Sequence, residues 1–138
     1  MKRVLIVCTG NACRSQMAEG LWRELGNGEW EAHSAGAAPA GWVHPLAVRA
    51  MEEIGVDISG HWSKGIDDFL GDTFDLVVTV CDHAARNCPF FPDAKARLHW
   101  PFPDPIHATG DEEKRLAAFR EVRDGIRARI VRYLAEGE

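Results

Sequence analysis

The sequence predicts an α/β fold: a parallel sheet with helices on both faces, three layers in all. Three observations carry this. Short runs rich in Val, Leu and Ile recur at 3–8 and 74–80, and continuous apolar runs of that length suit strands buried on both sides. Segments with apolar residues at helical spacing lie between the strands. The first run, Val4 to Val7, ends at Cys8 and passes through a short loop straight into a helical pattern. Strands alternating with helices imply parallel pairing, and such sheets bind ligands beyond the carboxyl ends of their strands.

In chain order, strand one covers 3–8 and the first helix runs from Ser15 to Leu25. Met17, Leu21 and Leu25 fall four apart with Ala18 and Trp22 beside them, and Gly26 is a plausible stop. Trp30–Ser34 reads as a weak second strand, followed by a loop to Gly41. Pro45 opens a second helix at the position where proline is tolerated. Leu46, Ala50, Met51 and Ile54 form its buried stripe, and Gly55 ends it. Residues 56–58 suit a short extended piece, and 64–70 a short helix. Phe74–Val80 is the clearest interior strand and leads to Cys81; Ala96–Trp100 is a last short strand. Pro101, Pro103 and Pro105 force an extended loop. The final helix spans Asp111 to Leu134, with Leu116, Phe119, Ile126, Ile130 and Tyr133 or Leu134 on its core side.

The 138 residues, read as the single domain 1–138, suffice for a real core; 46% are hydrophobic and 27% charged. A net charge of −5 argues against a nucleic-acid surface. Apolar runs are too short for a signal peptide or a membrane span. The expectation is a cytoplasmic monomer that binds neither nucleic acid nor membrane. Structural disulfides are rare in that compartment. The four cysteines therefore point to metal or redox chemistry.

The stretch Cys8-Thr9-Gly10-Asn11-Ala12-Cys13-Arg14-Ser15 puts a thiol at the start of a loop and a guanidinium at its end. Loop N–H groups of Thr9 to Cys13, with the helix N-terminus behind them, make an anion cradle. Arg14 adds a planar fork for two oxygens of a tetrahedral oxyanion. A cysteine in that field should ionise well below its free value of about 8.5. Ser15 is placed to hydrogen-bond the Cys8 thiolate, and serine also favours the N-cap. Asn11 suits a left-handed loop position. Cys13 has no evident chemical role and reads as a small packed residue.

Asp104, held on the proline-stiffened loop, is a candidate general acid for a leaving oxygen. Neither Cys81 nor Cys88 has zinc-knuckle spacing. They read as redox thiols. Seven positions of ideal helix separate Cα atoms by about 10 Å, and a disulfide needs less than about 7 Å. A helical 81–88 segment must therefore bend or unwind on oxidation. His33, His44, His61, His99 and His107 show no metal-ligand spacing and read as core or surface residues.

The motif from Cys8 to Gly20 resembles the signature of thioredoxin-coupled arsenate reductases, which share the low-molecular-weight phosphotyrosine phosphatase fold. Ser34-Ala35-Gly36, Asp75 through Cys81, Asn87-Cys88-Pro89, His99-Trp100, Asp104-Pro105 and Phe119 through Asp124 extend the likeness along the whole chain. The resemblance implies a four-stranded parallel sheet flanked by helices, no cofactor, and arsenate reduction for arsenic detoxification. It implies that Cys8 attacks arsenate held by the loop and Arg14 while Asp104 protonates the departing oxygen. Cys81 would then attack Cys8 and release arsenite, and Cys88 would capture Cys81 in a disulfide that thioredoxin reduces. Glutaredoxin or a small thiol is an alternative donor.

Two departures stand out. Some members of this family hold potassium near the loop, with ligands corresponding to Asn11, Glu19, Ser34 and an aspartate after a serine. Here Lys64 follows Ser63, so its ammonium is expected to take the cation's place or else to be a solvated surface group. The phosphatases usually carry an aromatic after Asp-Pro, where this chain has Ile106, which argues against a phosphotyrosine pocket. The alternative reading is a low-molecular-weight protein tyrosine phosphatase, and weak phosphatase side activity fits either one.

Overall fold

The computed structural model describes residues 1–88, 91 and 94–137; Pro89, singled out beside Cys88, lies outside them. Four strands, β1 (Lys2–Cys8), β2 (Trp30–Gly36), β3 (Leu76–Thr79) and β4 (Ala96–His99), form one parallel sheet in the order β2-β1-β3-β4. The helices α1 (Arg14–Leu25), α2 (Pro45–Glu52), α3 (Asp82–Asn87) and α4 (Glu112–Glu136) flank it. This is the α/β architecture expected from the alternation of patterns.

The chain leaves β1 toward β2 on one side and later returns to β3 on the other. The carboxyl ends of β1 and β3 therefore flank the point where strand order reverses, which is where a crevice opens in such sheets. Val4 to Val7 on β1 and Leu76 to Val78 on β3 are fully buried, as central strands covered on both faces require. α1 and α4 pack on each other, and α2 packs against both. Trp22 of α1 is stacked on Trp100 at 5.9 Å and edge-on to Trp30 at 5.3 Å. A buried aromatic of this size contributes about 1.5–3 kcal/mol by area alone.

Several boundaries move. α1 begins at Arg14, with Cys13 as its N-cap and no side-chain cap bond, so Ser15 lies inside the helix and is not its N-cap. β2 extends two residues past Ser34, because Val7 and Cys8 pair with Ala35 and Gly36. α2 stops at Glu52, so Ile54 falls beyond the helix and is exposed. The helix expected at 64–70 is a 3-10 turn, Ile66–Phe69, and 56–58 joins no strand. The segment between Cys81 and Cys88 is helical. Arg14 to Trp22 is buried all round, broader than the single apolar face read from the pattern. Its polar members Ser15, Gln16 and Glu19 have hydrogen-bond partners inside the molecule.

Candidate active site

Cys8 ends β1 and is buried. Its sulfur accepts a hydrogen bond from the Asn11 backbone N–H at 3.2 Å and lies 2.8 Å from Ser15 Oγ. The loop folds back because Asn11 takes a left-handed conformation, φ 50. Asparagine tolerates this better than most residues. Gly10 does not use its freedom in this way. Gly36 is the glycine this loop depends on, since a Cβ there would sit 2.7 Å from the Thr9 carbonyl.

The direction of the Ser15 hydrogen bond follows from its neighbours. Asn11 Oδ1 accepts from Gln16 Nε2 and from the Lys64 backbone N–H, both at 2.8 Å. This orients the amide so that Asn11 Nδ2 donates to Ser15 Oγ at 2.8 Å and to Ser34 Oγ at 2.9 Å. A hydroxyl has one proton, so with the amide donating to it, Ser15 is left to donate to the Cys8 sulfur. Ser34 likewise passes its proton to Glu19, 2.8 Å away.

The low thiol pKa expected for Cys8 is not what the pocket delivers. Burial is the largest effect and pushes the thiol above its ordinary value; Ser15, Arg14 and the Asn11 N–H pull it back. Desolvation outweighs them because the sulfur is buried, at 2% exposure, and burial penalises the charged form. Cys13, also buried, is pushed up to about 12, first by desolvation and then by Asp104. It is packed in the core, as a small buried residue.

Arg14 Nη1 donates to the Phe102 carbonyl at 3.1 Å, and Nη2 lies 3.3 Å from Asp104 Oδ2. The guanidinium thus ties the loop to the proline segment and brings Asp104 to the site. Asp104 Oδ1 accepts from the Ile106 N–H at 3.1 Å and starts the 3-10 turn Pro105–His107. A pocket of about 170 Å³ is lined by Cys8, the loop, Arg14 and Asp104, with Trp42 and Ile106 also on its wall. No residue pattern around Trp42 points to this position; the fold alone brings it there.

Cys81 follows β3 and caps α3, its sulfur accepting from the Ala84 N–H at 3.4 Å. Thr9 Oγ1 lies 3.2 Å from the same sulfur. One loop therefore touches the Cys8 and Cys81 thiols together. Cys88, half-buried, stands at the other end of α3, and all four cysteines are in the reduced thiol form.

Glu19, only 2% exposed at its side chain, meets Lys64 Nζ at 3.3 Å, His61 Nδ1 at 3.2 Å and Arg23 at 3.4 Å. The Lys64 side chain is 11% exposed, so it is not a solvated surface lysine. Burial holds His61 below its ordinary pKa, although Glu19 opposes that. This donor set does not suit a potassium ion: the carboxylate already faces an ammonium and a guanidinium, and Ser34 points its proton at it. Among the described residues no group of three or more His, Cys, Asp or Glu is placed to hold a metal. None of their helices is long and apolar enough to cross a membrane. His61 and Gln16 were missed as members of this network, because their partners lie 45 residues apart in sequence. His44 caps α2 by accepting from the Leu46 N–H.

A parallel sheet with a Cys–loop–Arg cradle at its switch point defines a phosphatase-type oxyanion site. The chain belongs to the low molecular weight phosphotyrosine protein phosphatase family, whose model matches residues 3–137. It is 49% identical over 137 residues to the arsenate reductase of Halalkalibacterium halodurans, covering 99% of this chain and 98% of that one. A solved arsenate reductase in the phosphate binding state superposes with a TM-score of 0.84 and 36% identity, over 99% of this chain and 98% of that one. The thioredoxin-dependent arsenate reductase of Corynebacterium glutamicum superposes with a TM-score of 0.75 and 30% identity, over 99% of this chain and 61% of that one.

Proposed function

We propose that this chain reduces arsenate to arsenite, with electrons supplied by thioredoxin, in the service of arsenic detoxification. The observation that carries the reading is the Thr9–Cys81 contact. It puts a second thiol beside the oxyanion loop, and a third thiol waits at the far end of a short helix. A phosphatase has no use for either.

Arsenate occupies the loop, held by the N–H groups of Thr9 to Cys13 and by Arg14. The Cys8 thiolate attacks arsenic, an As–S bond forms, and one oxygen leaves as water with a proton from Asp104. Asp104 stands on the wall of the same pocket, 3.3 Å from Arg14 Nη2, within reach of the oxygen that departs. The Cys81 thiolate then attacks the Cys8 sulfur. The S–As bond breaks, its electron pair stays on arsenic, and arsenite leaves behind a Cys8–Cys81 disulfide. Cys88 attacks Cys81, Cys8 departs as thiolate, and the Cys81–Cys88 disulfide passes to thioredoxin. Such exchange is fastest when the attacking thiol has a pKa near ambient pH. Lys64 neutralises Glu19 in place of potassium, so turnover needs no added potassium.

The test is arsenate-dependent NADPH oxidation with thioredoxin and thioredoxin reductase, comparing wild type with Cys88→Ser. The expected result is sustained turnover in wild type and about one cycle in the variant. Absence of turnover in wild type, with para-nitrophenyl phosphate hydrolysed equally by both proteins, would return the site to the phosphatase reading.

A further inference from the structure

Strand β4 reaches α3 at both ends. His99 Nε2 lies 2.9 Å from Asp82 Oδ1, at the first residue of α3. His99 Nδ1 lies 2.8 Å from the hydroxyl of Thr79, its register partner on β3. The tautomer with the proton on Nε2 satisfies both contacts: Thr79 donates to Nδ1 and Nε2–H donates to the carboxylate. Arg97, two residues before His99 and so on the same face of the strand, hydrogen-bonds Cys88 at the other end of the helix. Burial pushes the Cys88 thiol up, and the Arg97 charge opposes this.

This arrangement matters because α3 has two incompatible tasks. Wound, it holds the Cys81 sulfur against Thr9 through the Ala84 N–H. With its ends seven residues apart, a wound helix also keeps Cys88 beyond disulfide reach of Cys81. We propose that His99 is a positioning residue for the thiol relay: clasped to Asp82 it keeps α3 wound and Cys81 facing the loop, and its release admits Cys88 to Cys81. The proposal rests on the arsenate-reductase reading for the step it serves. In that step Cys88 thiolate attacks the Cys81 sulfur of the Cys8–Cys81 disulfide. The Cys81–Cys88 bond forms, the Cys8–Cys81 bond breaks, and Cys8 takes the electron pair. Neither His99 nor Asp82 touches the oxyanion.

The experiment uses the full chain, reduced, as wild type, His99→Ala, His99→Gln, Asp82→Ala and the double alanine variant. Both side chains are partly exposed, 38% and 73%, so the variants are expected to fold. Amide hydrogen exchange at Ala85, whose N–H donates to the Cys81 carbonyl, reads the opening of α3 without arsenate. Each alanine variant should raise it about two- to fivefold, the range of an exposed ion pair. The double variant should go no further, and His99→Gln, which keeps a donor for Asp82, should restore most of the protection. Unchanged exchange in His99→Ala, or additive effects in the double variant, would overturn the clasp. In a single arsenate turnover, quenched by alkylation and read by mass spectrometry, conversion of Cys8–Cys81 to Cys81–Cys88 should speed up in His99→Ala by a similar factor. Faster exchange with unchanged conversion would overturn the positioning role. Failure of wild type to form any disulfide with arsenate would sink the functional reading, while the exchange data still decide the clasp.

Discussion

The hydroxyl of Thr9 and the sulfur of Cys81 stand 3.2 Å apart across 72 positions of sequence. The contact exists because β1 and β3 are parallel neighbours, so the residues just beyond their carboxyl ends meet. It joins the oxyanion loop to the second thiol. Thr9→Val, which keeps the shape and removes the hydroxyl, should slow formation of the Cys8–Cys81 disulfide about tenfold, as expected for one hydrogen bond to a charged group. The Cys8–arsenate step should change little. Rapid quench with thiol alkylation resolves the two, and equal rates for both proteins would deny Thr9 this role.

Ser15 donates to a Cys8 thiol that burial otherwise pushes up. Ser15→Ala should raise the Cys8 pKa further, because a charge-assisted bond to the thiolate is lost. The pH profile of Cys8 alkylation should move to higher pH. Cys13, held near 12, should stay unlabelled in the native protein at pH 8 in both forms. A profile in the variant that matches wild type would place the Ser15 proton elsewhere.

Lys64 supplies one of the charges facing the buried carboxylate of Glu19. Potassium chloride and sodium chloride should therefore give the same kcat and the same Tm. Lys64→Ala should destabilise the protein by about 1–3 kcal/mol, less than a fully orphaned buried charge because Arg23 and His61 remain. Equilibrium denaturation measures this. A potassium-specific gain in wild type would remove the ammonium from its assigned part.

Glu53 binds α2 to α4 through Arg120 and Arg123. Hydrogen bonds from Arg120 first, then Arg123, hold its carboxyl near 2, against an ordinary 4.5. A lowered folded pKa contributes stability above the unfolded value, and that contribution is lost as pH falls through the folded one. Wild type should be more stable than Glu53→Gln at neutral pH, with the difference shrinking between 4.5 and about 2. Thermal melts across that range read it. A constant difference would mean that the ion pair is not the cause.

The parts legible in the sequence were those set by short-range rules. Cys8 to Ser15 is one unbroken strand–loop–helix segment, so residue types and spacing alone fix which groups converge. The left-handed position at Asn11, the extended proline loop and the four strands were readable for the same reason. Element ends shifted by a residue or two, because pairing partners decide where a ladder stops: β2 gained Ala35 and Gly36 from contact with β1.

The sequence by itself determined the alternation of strands and helices, the thiol–loop–guanidinium cradle, and the set of cysteines. Tertiary structure alone decided that Thr9 meets Cys81, that Lys64 reaches Glu19 across 45 positions, that Asp104 pairs with Arg14, and that His99 holds Asp82. It also decided the direction in which the Cys8 pKa moves. The hydrogen bonds that lower its pKa are local and can be foreseen, but the burial that outweighs them comes from every element packed around the sulfur. Desolvation is a sum over the whole fold, and no stretch of chain carries it.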